Sequence, residues 1–496
     1  MSSIITAAGT TIRISASGST PDLRDIGEES DVRVVEVGPT GVPALEPLVT
    51  VTNGGETAFH PDCSMATLDT IVAGVTDGPN VRAGSPATVV EHDPESTRLP
   101  PVDLQGLDTG NRRLLGGAGW RRPTDPDDHD AAGGFGTPDQ SDVVDAAGAL
   151  KGRGWGDGCH DAPLEATWET ARDAGGDPVV VVNAHGTPAD ALLLATAPFE
   201  VLDGAMAAAR AVGADSVIVY ASGADEGAVE TVRDAAGNYP DPPAAIDVVT
   251  GPAEHRAGEP TMALEAIEGN HRLEARIRPP GPESVGLHGQ PTLIHTPRTL
   301  AHLAVTLREG DGPDTRLVTV EGDVAAPATV ELPASDTLAD AVEAVTVDGD
   351  FKAACVGGQF GGLTRTLDVD VTPSALTAAG LGTEGTVHVL AEDRCVLEFV
   401  GKRTQYAADE NCGRCVPCRE GTTQLTGLLR DIYDGAYDPA DIEELVRVMD
   451  GSSICAFGVE AGRPARTAVA EFESELQAHA DGHCPANSCR MKAEVR

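Results

Sequence analysis

The chain has 496 residues, room for about three or four domains of ordinary size, and 41% of them are hydrophobic, enough for sizeable cores. Its 35 basic residues against 78 acidic ones give a formal charge of −43; four of the basic residues are lysines (Lys151, Lys352, Lys402, Lys492) and the other 31 are arginines. So acidic a chain lacks the basic surface that nucleic acid requires, and its lysine-poor acidity fits the salt-rich cytoplasm of a halophile, where ions screen self-repulsion.

From the N-terminus, Met1-Ser2-Ser3-Ile4-Ile5-Thr6 shows neither a basic n-region nor an apolar h-region. Residues 32–36 and 47–52 read as strands, and 67–75 have helical spacing. Residues 92–134, rich in Pro, Gly, Asp and Arg, read as a long connection. From about Gly152 the pattern turns βα. Residues 178–183 hold four consecutive valines, the mark of a strand covered on both faces. A helix at 201–212, a strand at 216–220 and a helix at 226–236 complete the alternation, which predicts a parallel sheet with helices packed on it. Residues 316–333 alternate β-favouring residues with turns, 338–345 form a short helix, Gly357 to Gly362 a tight loop, and 386–390 a closing strand, together a β-grasp-like module. From Gln405 the chain is helical, with helices at 424–433, 442–449 and 468–479. The apolar runs, 179–182 and 191–194 among them, are far too short to span a membrane, so direct membrane insertion is not expected.

The cysteines carry the chemistry. Cys412, Cys415 and Cys418 stand at C-x-x-C-x-x-C spacing, and Cys455 follows in Ser453-Ile454-Cys455. Three thiolates on one tight loop plus a fourth from elsewhere in the fold is how proteins hold a four-iron cluster. Zinc is the rival, but structural zinc sites usually draw their ligands as two separated pairs; four incidental buried thiols are the bland alternative. Ten cysteines in so long a chain do not make a disulfide framework. Cys63, Cys159, Cys355 and Cys395 read as buried small hydrophobes, and Cys484 and Cys489 as ordinary thiols or a weak auxiliary metal site.

In this order the pieces resemble the NADH-binding flavoprotein subunit of respiratory complex I and the diaphorase subunits of NAD-linked hydrogenases and formate dehydrogenases. The resemblance is strongest from Asn411 to Gly421, at Ser453-Ile454-Cys455 and at His483-Cys484-Pro485-Ala486-Asn487-Ser488-Cys489. It implies an α/β multidomain fold: a degenerate thioredoxin-like N-terminal domain (1–95), a Rossmann-like FMN/NADH domain (96–312), a β-grasp domain of the soluble-ligand-binding (SLBB) type (313–393) and a C-terminal helical bundle with a 4Fe–4S cluster (394–496). Gly38-Pro39-Thr40-Gly41 stands where the first of these would carry cluster cysteines, so no two-iron cluster is expected there.

Two glycine loops compete for the flavin role, Leu115-Gly116-Gly117-Ala118-Gly119-Trp120 and Gly152-Arg153-Gly154; the second lies at the better distance before Asn183. By resemblance, FMN and NADH would be held by Gly152, Arg153, Gly154, Asn183, Gly258 and Glu259, with the cluster on Cys412, Cys415, Cys418 and Cys455. The family's acids after Asn183 are here His185-Gly186, its Gly-Glu-Glu-Thr is Gly258-Glu259-Pro260-Thr261, and its Asn-Asn-Val-Glu-Thr is His295-Thr296-Pro297-Arg298-Thr299.

Three functions follow: an oxidoreductase subunit passing electrons from NADH through FMN to the cluster; an iron–sulfur electron-transfer or assembly subunit without NADH oxidation; or a structural protein with zinc or no metal. The partners implied are other redox subunits of a multisubunit complex and an electron-acceptor protein, in the cytoplasm or peripheral to a membrane complex. The charge makes a first prediction. Self-repulsion at −43 is screened as the Debye length falls from about 30 Å at 0.01 M salt to about 3 Å at 1 M. The melting temperature should therefore rise with KCl across that range; a flat or falling curve contradicts the halophile reading.

Overall fold

The computed structural model describes residues 9–17, 33–78, 80–310 and 314–489. Met1 to Thr6, the first residue of the strand expected at 32–36, and Lys492 lie outside them.

The first sheet has the order β2-β1-β3-β4-β5, from β1 (Thr11–Ser15), β2 (Arg33–Val37), β3 (Leu48–Asn53), β4 (Glu56–His60) and β5 (Thr88–Glu91). β1 and β2 are parallel and the other pairs antiparallel. Gly54 and Gly55, both at positive φ, make the two-residue turn between β3 and β4. Helix α1 (Met65–Thr76) starts at Ser64, whose side chain accepts the Thr67 N–H, and buries Leu68, Ile71 and Val75. Cys63 is buried in the same core, as a small hydrophobe would be. In the Gly38–Gly41 loop, a Cβ on Gly38 would fall 2.5 Å from Thr196 Oγ1, so this loop packs closely on the helix Pro188–Thr196.

The second sheet is wholly parallel, in the order β8-β7-β6-β9: β6 (Val179–Asn183), β7 (Ser216–Ser222), β8 (Ala245–Gly251) and β9 (Thr292–His295). Val180, Val181 and Val182 are completely buried, as a central strand covered on both faces requires. Helices α2 (Pro188–Thr196), α3 (Pro198–Val212), α4 (Glu226–Asn238), α5 (Pro260–Ile267) and α6 (Pro297–Glu309) surround it. The α3–α6 crossing is so close that a Cβ on Gly204 would sit 2.0 Å from the Leu300 carbonyl. β8 escapes the periodicity reading because it is a half-exposed edge strand.

The third sheet is mixed, β11-β10-β14-β12-β13, from β10 (Thr315–Gly322), β11 (Ala328–Pro333), β12 (Phe351–Val356), β13 (Gly362–Thr364) and β14 (Thr386–Ala391). Its core is continuous with Val42, Leu48, Phe59 and Trp120 of the first region. The C-terminal helices are α7 (Val396–Glu410), α8 (Val416–Asp431), α9 (Pro439–Ser452), α10 (Ala456–Glu460) and α11 (Arg463–Ala480). Helix therefore begins at Val396 and not at Gln405: the Cys395 side chain accepts the Glu398 N–H and caps α7. This mixed α/β, multidomain architecture ending in a helical region is the expected fold class.

One arginine ties two of these regions together. Arg298, at the start of α6, donates Nε and Nη2 to the Asp190 carboxylate of α2 (3.0 and 2.9 Å) and Nη2 to Glu384 Oε1 before β14 (2.9 Å). All three side chains are buried. Removing one partner from such a group leaves the others as uncompensated buried charge, at a cost of about 3–5 kcal/mol. Arg298→Met should lower unfolding stability by that amount in a denaturant titration at high salt.

Candidate metal centre and its neighbouring loop

Helix α7 ends at Glu410, where the Asn411 carboxamide donates to the Ala407 and Ala408 carbonyls (3.0 and 2.8 Å) and accepts the Gly413 N–H (3.0 Å). This turn carries Cys412. Cys415 is the N-cap of α8, Cys418 lies one turn further on, and Cys455 is the N-cap of α10. Cys415 makes no side-chain capping bond. The four thiols converge: after burial, Cys415, Cys455 and Cys412 are what push the Cys418 thiol up. A Cβ on Gly458 would fall 2.8 Å from Cys418 Cβ and 2.6 Å from Ser453 Oγ, so that glycine is needed for the close approach. Ser453 Oγ is buried without a hydrogen-bond partner, a donor left over beside the thiols.

These residues fit a four-iron cluster. A tetrahedral zinc ion, with Zn–S bonds of about 2.3 Å, needs its sulfurs about 3.8 Å apart. Among the described residues, the groups whose ligand atoms all lie within 4.8 Å of one another are Cys395–His479–Cys484–Cys489 and Asp157–Cys159–His295. The Cys412 set is not drawn that tight, as suits a cubane with its iron atoms at separate corners.

The parallel-sheet region reaches this centre through residues 254–259. Arg256 donates to the Glu410 carbonyl (2.7 Å). Glu259 caps α5, accepting the Thr261 and Met262 N–H groups (2.8 and 3.0 Å), and its charge, after burial, pushes the Cys455 thiol up. The His255 ring stacks on Trp155 (4.3 Å) and meets Phe360 edge-on (5.6 Å).

The glycine loop is closed on itself. Asp157, buried, accepts the Cys159 N–H (2.8 Å), the Thr296 N–H (3.1 Å), the Thr299 hydroxyl (2.7 Å) and His295 Nδ1 (3.2 Å). Trp168 Nε1 donates to His295 Nε2 (2.9 Å), which leaves the ring proton on Nδ1, facing the carboxylate. Although burial opposes it, His295 and these donors hold the Asp157 carboxyl below the usual carboxylate range. A carboxylate thus takes the backbone and side-chain donors that a ligand phosphate would take.

The other loop residues are equally committed. A Cβ on Gly152 would strike Asp157 Oδ1 (2.5 Å), and one on Gly154 would strike the Arg298 guanidinium (2.2 Å). Arg153 pairs with Asp314 and the Thr315 carbonyl. Asn183 Nδ2 donates to the Gly156 and Gly258 carbonyls (2.8 and 2.9 Å). Gly152, Arg153, Gly154, Asn183, Gly258 and Glu259 therefore lie together, but locked against one another. As folded, the loop's neighbouring donors are turned on Asp157. The competing loop is structural too: Leu114 and Leu115 N–H groups are held by Glu331 Oε2 (2.7 and 3.1 Å).

Open space lies on the other side of Asn183. A cleft of about 1550 Å³ is lined by His185, Gly186, Thr187, Ser222, Asp225 and Arg122, at the C-terminal ends of β6 and β7, where parallel sheets hold ligands. None of the six residues named from the sequence lines it. His185 donates Nε2–H to the Pro252 carbonyl (2.6 Å), and its buried Nδ1 has no partner.

Sequence reasoning passed over Asp157 and His479, and gave His295 and Thr299 no site role. The signal for the first was present, since a charged residue inside Gly156-Asp157-Gly158 has no reason to be buried unless the backbone closes on it. One cysteine reading is corrected: Cys395 is not an inert hydrophobe but meets Cys484 and Cys489 around His479, which agrees with the auxiliary-site alternative for those two.

Known proteins agree with this architecture. Residues 151–304 match the Nuo51 FMN-binding domain, and residues 398–479 match the NADH-ubiquinone oxidoreductase-F iron-sulfur binding region. The second of the NADH-quinone oxidoreductase F-type subunits of Rhizobium meliloti is 29% identical over 78% of this chain and 99% of its own length. The NADH-quinone oxidoreductase F-type subunit of Streptomyces coelicolor is 30% identical over 69% of this chain and 84% of its own. A chain of the crystal structure of NAD+-reducing [NiFe]-hydrogenase in the H2-reduced state shares the fold, with a TM-score of 0.65 over 99% of this chain and 88% of that one, at 24% identity.

The aromatic seam beside the cysteines titrates. Burial, followed by the His185 and Arg403 charges, pushes His255 down to about 4. In the unfolded chain it titrates near the ordinary value of about 6.5. Between these values the unfolded state binds a proton that the folded state refuses, so stability falls as pH drops from about 6.5 to about 4. Melting curves across that window should show the fall, and His255→Phe should flatten it.

Proposed function

Since the chain belongs to the family of NADH-quinone oxidoreductase F-type subunits, with both the FMN-binding domain and the iron–sulfur binding region of that family, we propose that it is an electron-transfer oxidoreductase subunit of that type, on the path from NADH through FMN to a 4Fe–4S cluster. The observation that carries this reading is the convergence of Cys412, Cys415, Cys418 and Cys455 at helix ends against the Gly258-Glu259 segment of the FMN-type domain. The cluster supplies one-electron carriage. The chain's own residues set its surroundings: Ser453 Oγ is a donor free for a cluster sulfur, the α8 N-terminus places a positive dipole end beside Cys415, and Phe457 and Phe360 exclude water nearby.

The domain division follows as part of the proposal, at 1–95, 96–312, 313–393 and 394–496. So do other redox subunits as partners, with this chain in the cytoplasm or at the periphery of a membrane complex. Among the described residues no single helix is long and apolar enough to cross a membrane.

A second reading, an iron–sulfur electron-transfer or assembly subunit that has lost NADH oxidation, is favoured by one observation, the Asp157 carboxylate seated among the donors of the glycine loop. One experiment separates the two. Protein reconstituted with iron, sulfide and FMN in high salt is titrated with NADH under argon, and the flavin bands are followed. Bleaching within seconds supports the NADH path. Retained flavin that bleaches only with dithionite, or no retained flavin at all, establishes the second reading. In either case Cys415→Ser should lose most of about four irons per chain, because serine is a poor ligand for iron–sulfide centres; unchanged iron would sink the cluster assignment.

A further inference from the structure

We propose that Cys395, His479, Cys484 and Cys489 form a second metal site, holding a single zinc ion that fastens residues 481–489 to the helical bundle. The four come from three places in the chain. Cys395 opens α7, His479 lies in the last turn of α11, and Cys484 and Cys489 bound the short segment Cys484-Pro485-Ala486-Asn487-Ser488-Cys489. Their ligand atoms all lie within 4.8 Å of one another. Cys395 Sγ is 3.2 Å from His479 Nε2 and 3.1 Å from Cys489 Sγ, and His479 Nε2 is 3.1 Å from Cys489 Sγ. Tetrahedral zinc with these ligands has edges of about 3.6–3.8 Å, so an ion needs only a slight spreading of the group.

The surroundings are those of a built site. Cys395 and His479 are each 3% exposed. His479 donates Nδ1–H to the Glu475 carbonyl (2.7 Å), which fixes the tautomer and aims the Nε2 lone pair at the sulfurs. The Glu398 N–H donates to Cys395 Sγ (3.3 Å), and the Tyr433 hydroxyl lies 3.8 Å from Cys489 Sγ. The Tyr433 ring stands edge-on to His479 (5.7 Å, 86°). Asn487, at φ +53°, turns the terminal segment, and its N–H donates to the Cys484 carbonyl (3.1 Å). Three sulfurs and one imidazole, with no oxygen ligand, make a closed structural zinc set.

The site lies at the far end of α7 from Cys412, about 22 Å along a helix of 15 residues. Zinc has no redox chemistry, so the ion clamps the end of the helix that presents the cluster loop and takes no electron.

The test is metal analysis of the full chain, prepared anaerobically with zinc sulfate and freed of loose metal by a weak chelator, with X-ray absorption at the zinc edge. The expected result is about one zinc per chain in a shell of three sulfurs and one nitrogen. Cys489→Ser should lose the zinc and keep its iron, Cys415→Ser should lose iron and keep the zinc, and His479→Cys should retain zinc with four sulfurs. This pattern is independent of NADH activity, so failure here leaves the electron-transfer reading standing. The proposal is overturned by protein without zinc, by equal zinc in Cys489→Ser, by iron in this shell, or by a Cys395–Cys489 disulfide found by mass spectrometry in place of the metal.

Discussion

The Arg298 guanidinium is the constraint on which the arrangement of the chain depends. A cation this deeply buried is tolerated only when its donors are met, and here they are met by Asp190 on α2 and by Glu384 ahead of β14. Burial works against its charge, but the two carboxylates outweigh burial and hold the guanidinium above its usual range. The consequences spread outward. Glu384 also accepts the Trp155 N–H, so the third-sheet region grips the glycine loop through the same carboxylate. Gly154 must be glycine because Arg298 occupies the space beside it. In this chain the loop glycine serves packing.

Asp157 shows the same logic applied to a would-be ligand site. A phosphate at the start of a parallel-sheet domain is held by backbone N–H groups and hydroxyls. Here one side chain reaches the Cys159 and Thr296 amides and the Thr299 hydroxyl. The covalently tethered anion needs no binding entropy and is always present. An external phosphate therefore competes with a carboxylate already in place, while the open cleft beside His185 remains accessible.

The C-terminal region handles its sulfur chemistry in two different geometries. The Cys412 group is spread and partly exposed, apart from the buried Cys418, as suits a cluster that must pass electrons outward. The Cys395 group is compact, with Cys395 and His479 buried, and lies about one helix length away. Helix α7 joins them. Its capped start and its Asn411-closed end are both fixed by side-chain bonds, so the helix has a defined length and direction between the two centres.

The sequence by itself determined what depends on short-range spacing. C-x-x-C-x-x-C names a cluster loop because three ligands within seven residues need no fold to bring them together. Four consecutive valines place a central strand because only a strand covered on both faces makes such a run stable. Tertiary structure decided whatever joins distant segments. Asp157 meets Thr296 and Thr299 across about 140 residues, and Cys395 meets Cys489 across 94. No local pattern encodes either meeting. Arg153, Asn183 and Glu259 were identifiable as neighbours of a glycine loop, but whether their polar atoms face a cavity or each other depends on the partners that packing supplies.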